Sequence, residues 1–124
     1  MLSNEEKGVL AQAKELLEKK ELCKGSNALD ANGKRVPTGA GDPVSYCTYG
    51  AIEQVAWSKY GRHGRFGELI MMKTRVIEAL EQEAGLVAEE NADHYLQPIV
   101  KWNDEPERTK EDVLSLMQRL LEKA

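Results

Sequence analysis

DPVSYCTYGAIEQVAWSKYG, residues 42–61, is the stretch on which the fold turns. Asp42 before Pro43 is a helix opening: the carboxylate accepts from the first amides, and proline is preset for the first helical position. Val44, Cys47, Ala51, Val55 and Tyr60 then recur at helical spacing and make one apolar stripe. Gly50 and Ala51 place two small residues together, which suits the close approach of a neighbour, and Gly61 supplies a stop. The stretch predicts a helix from Asp42 to about Tyr60, in a chain built from packed helices.

The flanks extend that reading. Ser3 with Glu6 fits a capping box, and Val9, Leu10, Ala13, Leu16 and Leu17 continue a first amphipathic helix to about Lys20. Leu22 and Cys23 are expected to tuck in behind it before Gly25 breaks the pattern. SNALDANGKRV, residues 26–36, reads as a small hairpin turning through Asp30-Ala31-Asn32-Gly33, because Asn and Gly tolerate positive φ. Residues 37–42 are an irregular link, and GRHGRFG, residues 61–67, is a loop. A third helix is expected from Glu68 to Ala84 with Leu69, Met72, Val76, Ile77 and Leu80 inside and Gly85 ending it. A short turn around Asp93–Gln97 and another from Pro98 to Trp102 follow. Thr109 caps the last helix, Glu111 and Asp112 favour its positive end, and Val113, Leu114, Met117, Leu120 and Leu121 form its stripe. The expected fold is mainly α: one domain over residues 1–124, a bundle of four to five helices with one small β-hairpin near residues 26–36.

The totals agree with a globular domain. With 124 residues, 41% hydrophobic and 31% charged, the chain has material for one core. A net charge of −4 and a pI near 5.3 disfavour broad binding to nucleic acid or an anionic membrane. Residues 1–6 lack the basic and apolar regions of a signal peptide, and no apolar run is long enough to cross a bilayer. Cys23 and Cys47 are the only cysteines; they read as reduced thiols in a cytoplasmic protein, with a disulfide as the alternative. Cys23, Cys47, His63 and His94 offer neither a C-x-x-C nor a paired-histidine spacing, so no metal and no cofactor is expected. Nothing on the helices demands a dimer seam, which leaves the oligomeric state open.

Three features stand in order along the chain: Leu22-Cys23 leading to the Asp30-x-x-Gly33 turn, then Tyr46-Cys47-Thr48-Tyr49-Gly50-Ala51, then Trp102-Asn103-Asp104 with Arg108-Thr109 and Val113. This order resembles an uncharacterised family of small bacterial and phage-borne domains of unknown function. That family shows an aromatic-Cys-x-x-Gly-Ala helix and a late Trp-Asn-Asp followed by Arg-Thr and a terminal helix. The resemblance covers most of the chain and implies origin and fold more than activity. The family's association with phages and accessory genes implies a blocking or regulatory role, for instance against a host defence protein. The 61–67 loop departs from the family pattern.

Four sets of residues are candidates for function. Trp102, Asn103 and Asp104 form either a clamp between helices or a pocket wall, with Arg108 expected to pair with Asp104 and Trp102 expected to bury its ring. Cys47 is the obvious nucleophile; with His63 or His94 as base and Asn103 or Asp104 as orienter it would imitate a small Cys-His hydrolase or transferase. Against this, it lies more than a turn past Asp42 and in register with core residues. Arg62, His63 and Arg65 in the glycine-bearing loop could meet a small anionic ligand or a partner protein. The basic stretch Lys59–Arg75 faces an acidic one over 76–100, which makes a local charge dipole. The balance favours a non-enzymatic interaction domain with a protein partner. The alternatives are the Cys47 enzyme and an anion binder at the loop.

Overall fold

A computed structural model describes residues 2–86 and 97–123. The first helix, α1 (Asn4–Lys19), begins with the capping box: the Ser3 hydroxyl accepts from the Glu6 amide at 3.1 Å, and the Glu6 carboxylate accepts from the Ser3 amide at 2.7 Å. Burial of Val9, Leu10, Ala13 and Leu17 puts the α1 stripe in the core.

Three two-residue strands follow: β1 (Glu21–Leu22), β2 (Ala28–Leu29) and β3 (Ser45–Tyr46). β3 lies in the middle, parallel to β1 and antiparallel to β2. The hairpin expected over 26–36 is present as a turn with a single Leu29–Arg35 bridge. Asp30 makes that turn, its carboxylate accepting from the amides of Asn32 and Lys34. Its first strand gains its main partner from β3, a segment far along the chain.

The largest correction concerns that segment. α2 spans Thr48–Lys59 and starts five residues later than Asp42-Pro43 announces. Leu29 accepts from the Val44 amide, Val44 in turn accepts from Glu21, and Tyr46 accepts from Cys23, so sheet pairing satisfies the backbone a helix would have used. Ser45, Tyr46 and Cys47 are all buried while Val44 stands 42% exposed. A strand buried on both faces replaces the first part of the expected helix, and of the expected stripe Val44 drops out while Cys47, Ala51, Val55 and Tyr60 remain buried. The N-cap is Cys47, whose sulfur accepts from the Gly50 amide at 3.2 Å.

Past α2 comes a 3₁₀ turn at Gly61–His63, then α3 (Phe66–Glu83), α4 (Pro98–Asp104) and α5 (Lys110–Lys123). Thr109 caps α5 reciprocally with Asp112, each backbone amide donating to the other's side chain. α1 packs on α2, α3 and α5, and α4 bridges α2 and α3. The core joins Leu10, Leu17, Ile52, Leu80, Ile99, Leu116 and Met117, all essentially inaccessible. The molecule is therefore a mainly α domain with five α-helices and a small three-stranded sheet among the described residues. None of its described helices is long and apolar enough to cross a membrane. The turn expected around Asp93–Gln97, apart from Gln97, and the candidate base His94 lie outside the described residues.

Candidate functional site

Residues 102–104 close α4 against the start of α2. Asn103 is wholly buried. Its Oδ1 accepts from the Thr48 amide at 2.8 Å and the Thr48 hydroxyl at 2.6 Å, and its Nδ2 donates to the Cys23 carbonyl and to Asp104 Oδ1, both at 3.0 Å. The β1–β3 ladder explains why an amide is needed there. After Cys23 N–H donates to the Tyr46 carbonyl, a parallel ladder would next join the Thr48 amide to the Cys23 carbonyl. Asn103 enters that gap and serves both groups, so its side chain stands in for one peptide unit.

Asp104 accepts from the Gly25 amide at 3.1 Å, which ties α4 to the turn after β1. Arg108 does not pair with Asp104 as expected. It lies 4.0 Å over the Trp102 ring, donates to the Trp102 carbonyl at 3.0 Å, and pairs with Glu105 at 2.7 Å and Asp112 at 3.9 Å. These acids are three and four residues away, on the side toward which the stacked guanidinium points. Trp102 is half-buried, packed against the edge of the core and covered by that guanidinium.

Beside this clamp is a cleft of about 800 Å³ whose lining includes Asn27, Arg35, Cys47, Tyr49, Glu53, Lys73 and Asp104. Next to the lining residue Asn27 the packing is tight at Gly50: a Cβ there would lie 2.0 Å from the Asn27 carbonyl oxygen. Lys73 crosses one wall, 5.2 Å over the Tyr49 ring and 3.5 Å from Glu53, which also accepts from the Thr38 hydroxyl. Burial works to lower the Lys73 pKa, but Tyr49 and Glu53 together hold it above the ordinary lysine value. Sequence reasoning missed Tyr49, Glu53 and Lys73 as neighbours; the i, i+4 spacing of Tyr49 and Glu53 on α2 was the available signal for those two, and the packing of α3 brings Lys73 to them.

Cys47 reaches this cleft with 3% of its surface accessible. Its position at the helix start overturns the argument that it lies more than a turn inside. The helix end and the Gly50 amide favour a thiolate, yet burial outweighs them and pushes the thiol up to about 12. Its contact across the cleft is Asn27 Oδ1, at 3.8 Å. His63 is exposed on the 3₁₀ turn, at the other end of α2 from Cys47. The described residues thus bring Cys47, Asn103 and Asp104 together but not His63. Nor do they hold any group of three or more His, Cys, Asp or Glu arranged for a metal.

In the 61–67 loop, Arg65 is committed to Glu68 and lies 5.2 Å over the Tyr60 ring. Gly61 has no room for a side chain, because a Cβ would strike Trp57 and Leu69. Among the described residues part of the expected charge dipole is paired across elements: Lys73 meets Glu53, Arg75 lies 3.6 Å from Glu6, and Glu83 takes Lys123 and Arg119, while Glu89, Glu90 and Asp93 of its acidic half lie outside the described residues. Arg62 and His63 remain the loop's outward-facing basic groups. Directly after them α3 exposes Phe66 at 56%, Ile70 at 58% and Met71 at 42%, with Phe66 also meeting the Trp57 ring at 6.4 Å. Residues 66 and 70 are one turn apart and out of register with the buried Met72-Val76-Leu80 stripe, which is how the sequence could have shown them.

A family model matches residues 1–122. The chain belongs to DUF6197, a family of unknown function. No curated protein and no solved structure matches it. Nearly the whole DUF6197 match is accounted for by one fold, from the capping box at Ser3 to the last turn of α5.

Proposed function

We propose that this DUF6197 domain binds a partner protein on the outer face of α3, where Phe66, Ile70 and Met71 stand exposed beside Arg62 and His63. The observation that carries the reading is the grouping of three large apolar side chains on the first turns of one helix. Soluble domains hide such residues or use them, and a patch rimmed by polar groups is a contact surface. Trp57 extends the patch across to α2, and Gly67 keeps it shallow. The basic rim selects a partner whose own contact is apolar with acidic edges. The blocking or regulatory role implied by the family resemblance would be exerted through this face. Cys47 catalysis is not favoured: its thiol is buried, raised, and far from His63.

The test is capture from cells of the source organism with the wild-type domain and with Phe66→Glu/Ile70→Glu and Arg62→Glu variants. A specific partner should be retained by the wild type, lost with the double variant and weakened by the charge reversal. All three proteins should show the same helical circular dichroism. A partner held equally by all three would overturn the assignment.

A further inference from the structure

We propose that Cys23 and Cys47 form a redox dithiol site, closed into an intramolecular disulfide by a small disulfide oxidant that enters through the cleft. β1 and β3 are parallel with Leu22 opposite Tyr46, so the next pair in register is Cys23 opposite Cys47. The bond from the Cys23 amide to the Tyr46 carbonyl at 3.0 Å carries the ladder up to that pair. Opposed residues of neighbouring strands share a face and sit about 5 Å apart. That lies inside the roughly 4.4–6.8 Å between Cα atoms that a disulfide spans. Asn103 replaces the ladder bond on the far side of this pair, between the Cys23 carbonyl and the Thr48 amide, so the direct bond on the near side holds the two residues in register.

The thiols also turn toward the same stretch of chain. Cys23 donates to the Ser26 carbonyl at 3.3 Å, and Cys47 lies 3.8 Å from Asn27 Oδ1. Both are free and buried. Cys47 lines the cleft and Cys23 does not, so the order of events follows from access. The Cys47 thiolate attacks one sulfur of the oxidant and expels the other as a thiolate, leaving a mixed disulfide whose second half occupies the cleft. Cys23 then loses its proton and attacks Cys47 Sγ, expelling the second thiolate. Two cysteines are oxidised, one oxidant disulfide is reduced, and the two thiol protons pass to the two leaving thiolates. The product replaces the Cys47 S–H bond with an S–S bond to Cys23 and so re-aims the sulfur that now receives the Gly50 amide, which brings oxidation directly to the α2 start beside Tyr49.

The experiment exposes the folded wild-type protein to glutathione disulfide, quenches with acid, and reads intact mass and a non-reducing peptide map. The expected product has lost two hydrogens, joins the peptides containing residues 23 and 47, and reverts with dithiothreitol. Because the attacking thiol is raised to about 12, the rate should climb about tenfold per pH unit from neutral to mildly alkaline pH. Cys23→Ser should stop at the glutathione adduct on Cys47. The proposal is overturned if the wild type also stops at that adduct, if both thiols stay alkylatable after prolonged exposure, or if the link forms only in urea.

Discussion

Replacing Asn103 with Ala tests the central claim about how α4 is attached. The carboxamide makes four hydrogen bonds in a site with no solvent access. The Thr48 hydroxyl can rotate to another acceptor and Asp104 can turn toward water. The Thr48 amide and the Cys23 carbonyl are fixed in the backbone and become buried orphans. At about 1–3 kcal/mol for each such group, the substitution should cost roughly 4 kcal/mol. Against a total of about 5–15 kcal/mol for a domain, that is a large fraction. Equilibrium urea unfolding followed by far-ultraviolet circular dichroism measures it directly. Asn103→Asp keeps an acceptor for Thr48 but loses the donor to Cys23 and places a charge beside Asp104, so it should be at least as damaging. A loss below about 1 kcal/mol for the alanine variant would refute the peptide-like role of this side chain.

Gly50→Ala should invert the usual sign: an exposed helical glycine gains about 1 kcal/mol on becoming alanine, but here the methyl meets the Asn27 carbonyl oxygen at 2.0 Å, and a loss of about 2 kcal/mol is expected in the same urea assay. Glu81, raised by burial while it accepts from the Ile99 amide, has a folded pKa above its unfolded one; its contribution is present at low pH and lost as pH rises through the folded value. Glu81→Gln should therefore be more stable than the wild type at neutral pH, with the two converging near pH 4, and a variant less stable at neutral pH would contradict this. Glu6 is the opposite case: the Ser3 amide lowers its pKa, so its contribution is held at neutral pH and lost as pH falls below the ordinary carboxylate range. Glu6→Gln should destabilise at pH 7 and match the wild type in acid, read from urea midpoints across pH. Phe66→Glu with Ile70→Glu should leave the urea midpoint within about 0.5 kcal/mol, because neither side chain is buried; a larger loss would move them from the surface into the core.

Local chemistry determined a good deal of this protein. The capping boxes at Ser3 and Thr109, the stripes of α1, α3 and α5, and the Asp30 turn are each written in a few neighbouring residues, because caps, periodicity and turns are short-range effects. The pair Asp42-Pro43 shows where this fails. It is a sound helix opening by propensity, yet the backbone from 44 to 46 finds β1 on one side and β2 on the other, and two ladders outweigh a local cap. That choice alone moves Cys47 from mid-helix to the helix start and brings it opposite Cys23. Likewise, Trp102-Asn103-Asp104 could be recognised as a composed stretch, but only the packed fold decides that the amide fills a gap in a ladder some 55 and 80 residues away. The neutralisation of Lys73 by Glu53 and of Arg75 by Glu6 belongs to the same class. Sequence fixes which residues can cap, turn and line a helix face; which distant backbone and charged groups they satisfy is decided by tertiary packing, since buried polar groups bind whichever partner the fold brings within reach.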